Sequence, residues 1–195
     1  GDTRITGDYP GAARRHVERA FEGACAGFLP GCFGDVRPAC TLIGGKRFRR
    51  GIPDDVAVFG EALGAEVVRA VQASGPPLQP SLSARTDTLA LPLAKESEQA
   101  RLTLQRLDLA ETLRLIALGG EICVDYGHFI KGLDAEGVTV PVGYTNGMVG
   151  YICPARLFPE GGYEPDTSHP VFDLSSPFQP AIEEIIHAGI RRLMA

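Results

Sequence analysis

The chain has 195 residues, of which 44% are hydrophobic and 22% charged, a composition typical of an ordinary soluble globular domain. Acidic residues (24) outnumber lysines and arginines (19), and the formal net charge of −5 argues against a nucleic-acid partner. No uninterrupted apolar stretch approaches the roughly 18–20 residues that a membrane span needs. The sequence therefore excludes a disordered chain, a collagen, a coiled coil and a membrane-spanning protein.

Five cysteines are present, an odd number, and no pair has the Cys-x-x-Cys spacing. A disulfide framework or a cysteine-based zinc site is therefore not expected, and we predict reduced, mostly buried thiols. Residues 1–10 contain no apolar region of a signal peptide. Together these features favour a reducing compartment such as the cytoplasm. The cysteines are Cys25, Cys32, Cys40, Cys123 and Cys153.

Helical and extended patterns alternate in the first half of the chain. Apolar residues at helical spacing predict one helix over 11–22 and a longer one that starts at Pro53 or Asp54 and ends near Ser74. The short apolar run at 24–29 predicts a buried strand, and a turn rich in Gly and Pro follows at 31–38. In an α/β sheet, ligand-binding loops tend to lie at such strand ends.

The second half of the chain reads as a sheet with two further helices. We predict strands over 81–93, 102–109, 111–118 and 138–144, a short strand at 151–152, and helices over 119–130 and from 176–177 onward. The connection between the second and third of these strands is too short for a crossover helix, which predicts an antiparallel pair. The sequence thus predicts a single α/β domain with a mixed β-sheet and flanking helices.

Standard catalytic motifs leave the function undecided. The chain has no G-x-G-x-x-G or Walker A loop and no G-x-S-x-G elbow. Its four histidines (His16, His128, His169 and His187) are scattered and show no metal-binding spacing.

Four segments, in this order along the chain, carry a family resemblance. They are the Gly-Asp-Tyr-Pro-Gly of 7–11, the run of 24–38 with its Gly-Asp-Val-Arg-Pro turn, the Gly-Gly-Glu end of 116–121, and the segment 143–151 followed by Gly-Tyr-Glu at 162–164. The chain resembles the neutral/alkaline ceramidases, which are zinc-dependent amidases that cleave the N-acyl bond of a sphingolipid. The resemblance spans roughly residues 6–164 plus the final helix, and it implies the C-terminal part of a larger catalytic domain.

The resemblance implies roles for three side chains. Glu121 and Tyr151 would be zinc ligands, and Tyr163, twelve residues after Tyr151, would donate to the oxyanion at the scissile carbonyl. From the residues alone, simpler alternatives stay open. Glu121 could offset the dipole in the first turn of a helix, Tyr151 could pack beside a Gly-rich turn, and Tyr163 could be an exposed loop aromatic.

The turn at 31–38 adds two candidate substrate-binding residues. Asp35 is a neighbour of the site by resemblance, and otherwise an ordinary turn-capping residue. Arg37 stands where the ceramidases carry a serine, and a guanidinium cannot act as a hydroxyl relay but can bind a carboxylate or phosphate. Arg37 therefore indicates an acidic or phosphorylated ligand, with a surface arginine bonded to local carbonyls as the alternative.

The two zinc-binding histidines of the family lie N-terminal to the segment where this chain begins. None of the four histidines here falls at a matching position, and a catalytic zinc site needs three protein ligands. We therefore expect residues 1–195 to be a fragment that lacks an N-terminal half, inactive and zinc-free alone, whose parent uses zinc.

Three interpretations follow for function and partners. The chain is the C-terminal portion of a ceramidase-like amidohydrolase with an amide or lipid-like substrate, a non-catalytic domain that binds a small acidic ligand, or a module held to another chain. A half-domain is also expected to expose an apolar patch and to form a homodimer.

Overall fold

The computed structural model describes residues 5–75, 77–134 and 137–195. These residues mix helices with parallel and antiparallel strands, which confirms the α/β class. They form two compact units. The helical unit comprises Gly1–Phe28 and Arg37–Pro77, and the sheet unit comprises Leu29–Val36 and Leu78–Ala195. That the chain acts as one domain, and is a fragment lacking an N-terminal half, stays a prediction.

Two helices dominate the helical unit. They are α1 (Asp8–Ala20) and α2 (Pro53–Gln72), and a hairpin of β1 (Leu42–Ile43) and β2 (Arg47–Phe48) lies between them in the chain. Gly60 of α2 contacts Ala12, and Gly64, one turn later, contacts His16. The contacts advance in the same direction along both helices, so α1 and α2 pack in parallel, with glycines allowing the close approach.

The sheet unit contains, in chain order, β3 (Pro80–Pro92), β4 (Gln99–Ala110), β5 (Leu113–Leu118), β6 (Glu121–Ile122), α3 (Val124–Gly132), β7 (Val138–Val142), β8 (Tyr151–Ile152) and α4 (Ile182–Met194). Four of these strands form one sheet in the order β3-β4-β5-β7. Strands β3, β4 and β5 pair antiparallel, and β5 pairs parallel with β7. This arrangement confirms the mixed sheet and the antiparallel pair predicted from the sequence.

The core of the sheet unit lies between α4 and the sheet. Ile182, Ile186 and Ile190 recur at helical spacing on α4 and are fully buried together with leucines of β3 and β4. A Cβ atom at Gly189 would lie 2.7 Å from a methyl carbon of Leu89, so α4 packs closely on β3. Burial of this apolar stripe is the main stabilisation of the unit.

Three predicted elements differ in the structure. Residues 24–29 form no strand, because this run pairs with no neighbouring strand among the described residues and is mostly exposed. The helix predicted over 119–130 begins only at Val124, since Glu121 and Ile122 are drawn into a strand pair with β8. The last helix begins at Ile182 rather than at 176–177, because Phe178 instead forms an antiparallel bridge with Leu93, the residue after β3.

Within the described parts of the chain, no helix is both long enough and apolar enough to cross a membrane.

Candidate functional site

Glu121 and Tyr151 are direct neighbours on two short parallel strands. Strand β6 pairs with β8 in a register that places Glu121 opposite Tyr151 and Ile122 opposite Ile152. Backbone bonds fix this register, with Glu121 N–H donating to Gly150 O at 2.9 Å. Paired positions on adjacent strands share one face of the sheet, so the side chains of Glu121 and Tyr151 are neighbours. Glu121 therefore lies on a strand, and the alternative that placed it in the first turn of a helix is wrong.

Tyr163 lies against Tyr151. The two ring centroids are 5.6 Å apart at an interplanar angle of 74°, an edge-to-face contact. Phe172 approaches the same Tyr151 ring at 5.9 Å. The chain reaches Tyr163 through Gly161 and Gly162, whose φ angles of 66° and 103° favour glycine. The structure thus brings Glu121, Tyr151 and Tyr163 together, with Tyr163 exposed to solvent.

Negative charge surrounds the Tyr151 phenol. Burial, followed by the hydrogen bond to Glu121, raises the pKa of Tyr151 above its ordinary value, and the charges of Glu121 and Glu164 act in the same direction. At neutral pH the phenol therefore keeps its proton and shares it with the carboxylate. The oxygen atoms of Glu121 and Tyr151, together with the nearby Glu164 carboxylate, are groups that attract a cation.

Asp35 joins this region from a distant part of the sequence. Its Oδ1 accepts a hydrogen bond of 2.8 Å from the Val124 N–H, the first residue of α3, and Gly34 N–H donates to Ile122 O at 2.8 Å. The Asp35 carboxylate therefore caps the N-terminus of α3, a helix distant in sequence, and does not cap the turn that contains Asp35. Asp35 thus lies beside the strand that carries Glu121, and its role in substrate binding stays a prediction.

Arg37 belongs to the helical unit, not to the sheet unit that holds the other four candidate residues. Its side chain is exposed and lines a cavity within the helical unit. Among the described residues it makes no hydrogen bond or ion pair, so the alternative in which it satisfies local carbonyls finds no support.

The donors of this chain do not by themselves fit a catalytic zinc ion. The described residues contain no group of three or more His, Cys, Asp or Glu side chains placed to hold a metal. Glu121 and Tyr151 supply two oxygens, whereas a catalytic zinc takes three protein ligands and an open position. His169, the histidine closest to this region in sequence, has its Nδ1 bonded to Asp166 O. A recess beside Tyr151 and Glu164 has a volume of only about 10 Å³.

Sequence reasoning missed a buried pair of thiols at the base of this site. Cys123 and Cys153 follow Ile122 and Ile152 in the same parallel register, and their Sγ atoms lie 3.6 Å apart. It also missed Tyr126, a fully buried residue whose hydroxyl donates to Cys153 O at 3.1 Å. The one available signal was that Cys153 directly follows the strand predicted at 151–152, whereas Cys123 lies inside the helix predicted over 119–130. Of the other cysteines, Cys32 is buried, whereas Cys25 and Cys40 are exposed.

Comparison with known proteins supports the fold. No protein-family model matches the chain, and no curated protein sequence matches it significantly. The solved structure of a ceramidase, described as complexed with C2, superposes with a TM-score of 0.67 and 14% sequence identity. The alignment covers 98% of this chain and 43% of that chain, so this chain spans less than half the length of the ceramidase. At this identity the match shows a shared scaffold: the chain has the fold of a part of a ceramidase.

Proposed function

We propose that this chain is the C-terminal part of the catalytic domain of a hydrolase of the neutral/alkaline ceramidase type, a zinc-dependent amidase. The observation that carries the proposal is the convergence of Tyr163 on the Glu121–Tyr151 pair, at 5.6 Å between the tyrosine rings. The shared scaffold supports it, because 98% of this chain superposes on part of a ceramidase.

In this proposal Glu121 and Tyr151 are two of the zinc ligands, and imidazoles from outside the chain complete the set. Bound zinc would polarise the amide carbonyl and lower the pKa of a coordinated water. Because two oxygen donors are too few, the isolated chain is expected to hold no tight zinc and to be inactive. The parallel register of β6 and β8 places Glu121 and Tyr151 side by side before a cation arrives.

Tyr163 is proposed as the donor to the oxyanion. Its ring is fixed against Tyr151 while its exposure leaves the hydroxyl free to meet a substrate carbonyl. A positioned donor of this kind contributes about 10²–10³ to kcat in acyl-transfer enzymes. The substrate class that follows is an amide, with an N-acyl lipid as the specific expectation.

Zinc titration of the isolated chain tests the ligand assignment. We expect no tight stoichiometric zinc binding in calorimetry with buffer alone, and measurable binding in about 20 mM imidazole, which supplies nitrogen donors. Glu121→Gln and Tyr151→Phe should each abolish the imidazole-dependent binding. Tyr163→Phe is the matched control and should preserve it, because that phenol is not proposed as a ligand.

Two results would contradict the proposal. Tight zinc on the wild-type chain without imidazole would overturn the incomplete site, and imidazole-dependent binding that survives both ligand substitutions would overturn the assignment. In a longer polypeptide that includes the residues preceding this chain in its reading frame, Tyr163→Phe should lower the kcat of N-acylsphingosine hydrolysis and leave KM nearly unchanged.

A partner-binding role is the second candidate. Several apolar side chains of α2 are exposed, among them Val58 at 63% and Val71 at 48%. Exposed apolar surface on this scale favours association. We expect a homodimer in sedimentation velocity experiments, and a monomer that persists at high concentration would count against it.

A further inference from the structure

The helical unit encloses a cavity of about 920 Å³, a volume within the range of small-molecule sites. All the residues that line it belong to the helical unit, so it stands apart from the proposed roles of Glu121, Tyr151 and Tyr163. Since α1 and α2 pack in parallel, their N-termini lie at the same end of the helix pair, and both line this cavity. The first turns contribute Tyr9 from α1 and Val56 from α2.

Among the residues that the structure describes, three arginines and two aspartates line the cavity. The arginines differ in their bonding partners. Arg49 is neutralised by a bidentate ion pair with Asp55, with N···O distances of 2.6 and 2.7 Å. This pairing, led by the hydrogen bonds from Arg49, lowers the pKa of Asp55 to about 2, so its charge persists across the physiological range. Arg37 and Arg50 make no side-chain hydrogen bond or ion pair with any residue that the structure describes.

The remaining carboxylate of the lining does not cancel both free charges. Asp8 accepts a hydrogen bond of 2.6 Å from the Tyr9 N–H at the start of α1. Because Arg49 and Asp55 neutralise each other, the lining retains the guanidinium groups of Arg37 and Arg50 and one carboxylate, that of Asp8, which already accepts a backbone hydrogen bond. The cavity therefore keeps a net positive charge and two unused planar donor forks, which suit a carboxylate or a phosphate.

Apolar side chains also line the cavity. Ile52 and Phe59 line the cavity together with Val56 and Tyr9, and Ile52 is 52% exposed. A ligand that covers exposed apolar surface such as that of Ile52 removes it from water, which is favourable. A small inorganic anion would use only the guanidinium groups and would leave this surface in water.

We propose that the cavity binds an amphiphilic anion, whose phosphate or carboxylate headgroup is held by Arg37 and Arg50 and whose alkyl chain packs on Ile52, Val56 and Phe59. The proposal does not depend on the proposed amidase function, since none of its residues belongs to the zinc or oxyanion assignments. The sequence predicted an acidic ligand for Arg37. The proposal adds Arg50 as a second residue that binds its headgroup, and an alkyl chain to the ligand.

Calorimetric titration of the whole chain with octyl phosphate tests the headgroup contacts. We expect saturable binding, no detectable binding of 1-octanol, and a loss of about tenfold or more in affinity in Arg37→Gln and Arg50→Gln. The matched control is Arg101→Gln, an exposed arginine of β4 outside the cavity, which should bind like the wild type. Octanoate, as a second arm, distinguishes a carboxylate preference from a phosphate preference.

A second pair of variants tests the apolar wall. Val56→Asn should weaken octyl phosphate binding several-fold, whereas Val58→Asn, an exposed residue of the same helix outside the cavity, should not. Raising the salt concentration from about 50 to about 500 mM should also weaken binding by the wild type, because exposed guanidinium groups are screened.

The proposal is overturned by three results: octyl phosphate that does not saturate, equal affinity for octyl phosphate and 1-octanol, or equal losses in the cavity and control variants. The salt series on the wild-type chain remains decisive if an arginine variant fails to fold, since salt-insensitive binding would exclude the two guanidinium groups as the headgroup contact.

Discussion

A Cβ atom on Gly34 would lie 2.8 Å from the carbonyl oxygen of Glu121, closer than real Cβ atoms come to such an oxygen. The turn that carries Asp35 is therefore pressed against the backbone of the strand that carries the proposed zinc ligand. Gly34 also donates its N–H to Ile122 O. The absence of a side chain at Gly34 is what allows this bond.

The first prediction follows from that contact. Gly34→Ala should lower the free energy of unfolding by about 1–3 kcal/mol, because a backbone carbonyl in a strand pair cannot move aside as a flexible side chain can. Gly31→Ala is the matched control, since its nearest neighbour would be Pro141 O at 3.9 Å, an ordinary contact. Urea denaturation measures both, and equal stabilities of the two variants would contradict the close approach.

The second prediction concerns the parallel helix pair. Ala normally stabilises a helix interior relative to Gly by about 1 kcal/mol. At Gly60 the sign should reverse, because a Cβ there would lie 2.2 Å from the Cβ of Ala12 and 2.8 Å from Tyr9 O. Gly60→Ala should therefore destabilise the chain, whereas Gly11→Ala, which meets only the Arg15 guanidinium at 3.5 Å, should not. Thermal unfolding followed by circular dichroism at 222 nm distinguishes the two outcomes.

The third prediction concerns thiol reactivity. Under native conditions a thiol-specific disulfide reagent should modify two cysteines quickly, Cys25 and Cys40, which are exposed. Burial raises the pKa of Cys32 to about 12, and the contact with Cys153 together with burial raises that of Cys123 above its ordinary value. The three buried thiols should react with the reagent only as the chain unfolds, when all five cysteines become accessible to it. Fast modification of more than two would contradict the burial of the others.

The fourth prediction is a dependence of stability on pH that originates at His187. Its ring stacks on Phe129 with 3.7 Å between centroids, and burial lowers its pKa below the ordinary value of 6.5. The charges of Glu183 and Glu184 oppose this shift, and that of Arg191 assists it. Because the unfolded chain binds the proton more readily, the stability from neutral His187 is complete above pH 6.5 and is lost as the pH falls below it.

Urea denaturation midpoints between about pH 5 and pH 7 measure this effect. The midpoint should rise with pH in the wild type, and the slope should flatten in His187→Gln. The exposed His128 on α3 is the control position, and His128→Gln should retain the wild-type slope. An unchanged slope in His187→Gln would place the titrating group elsewhere.

Sequence patterns identify the long elements because their periodicity extends over many residues. The elements β3, β4 and α2 are each at least twelve residues long, and the structure has all three where patterns predict them, although the pattern for β4 covers only 102–109. Strand β6 has two residues, too few for any period. For that reason Gly119 and Gly120 were interpreted as the start of a helix, and the strand at Glu121 was missed.

The candidate site shows the same limit at the level of single residues. The pairing of Tyr151 with a neighbouring strand was predicted, but the identity of that strand was not, since a parallel pair can join segments that are far apart in sequence. Asp35 and Val124 are separated by 89 residues, and no local pattern reports a bond over that separation. The grouping of Glu121, Tyr151 and Tyr163 was predicted from family resemblance and not from periodicity.

The path of the chain between the units has a practical consequence for dissecting the molecule. Residues Leu29–Val36 belong to the sheet unit, although they lie between two segments of the helical unit. A fragment that starts at Leu78 would keep the four-stranded sheet but lose the carboxylate that caps α3 and the glycine seated on Glu121. Anyone who trims this protein to its sheet half should splice that eight-residue segment back, or supply it as a peptide.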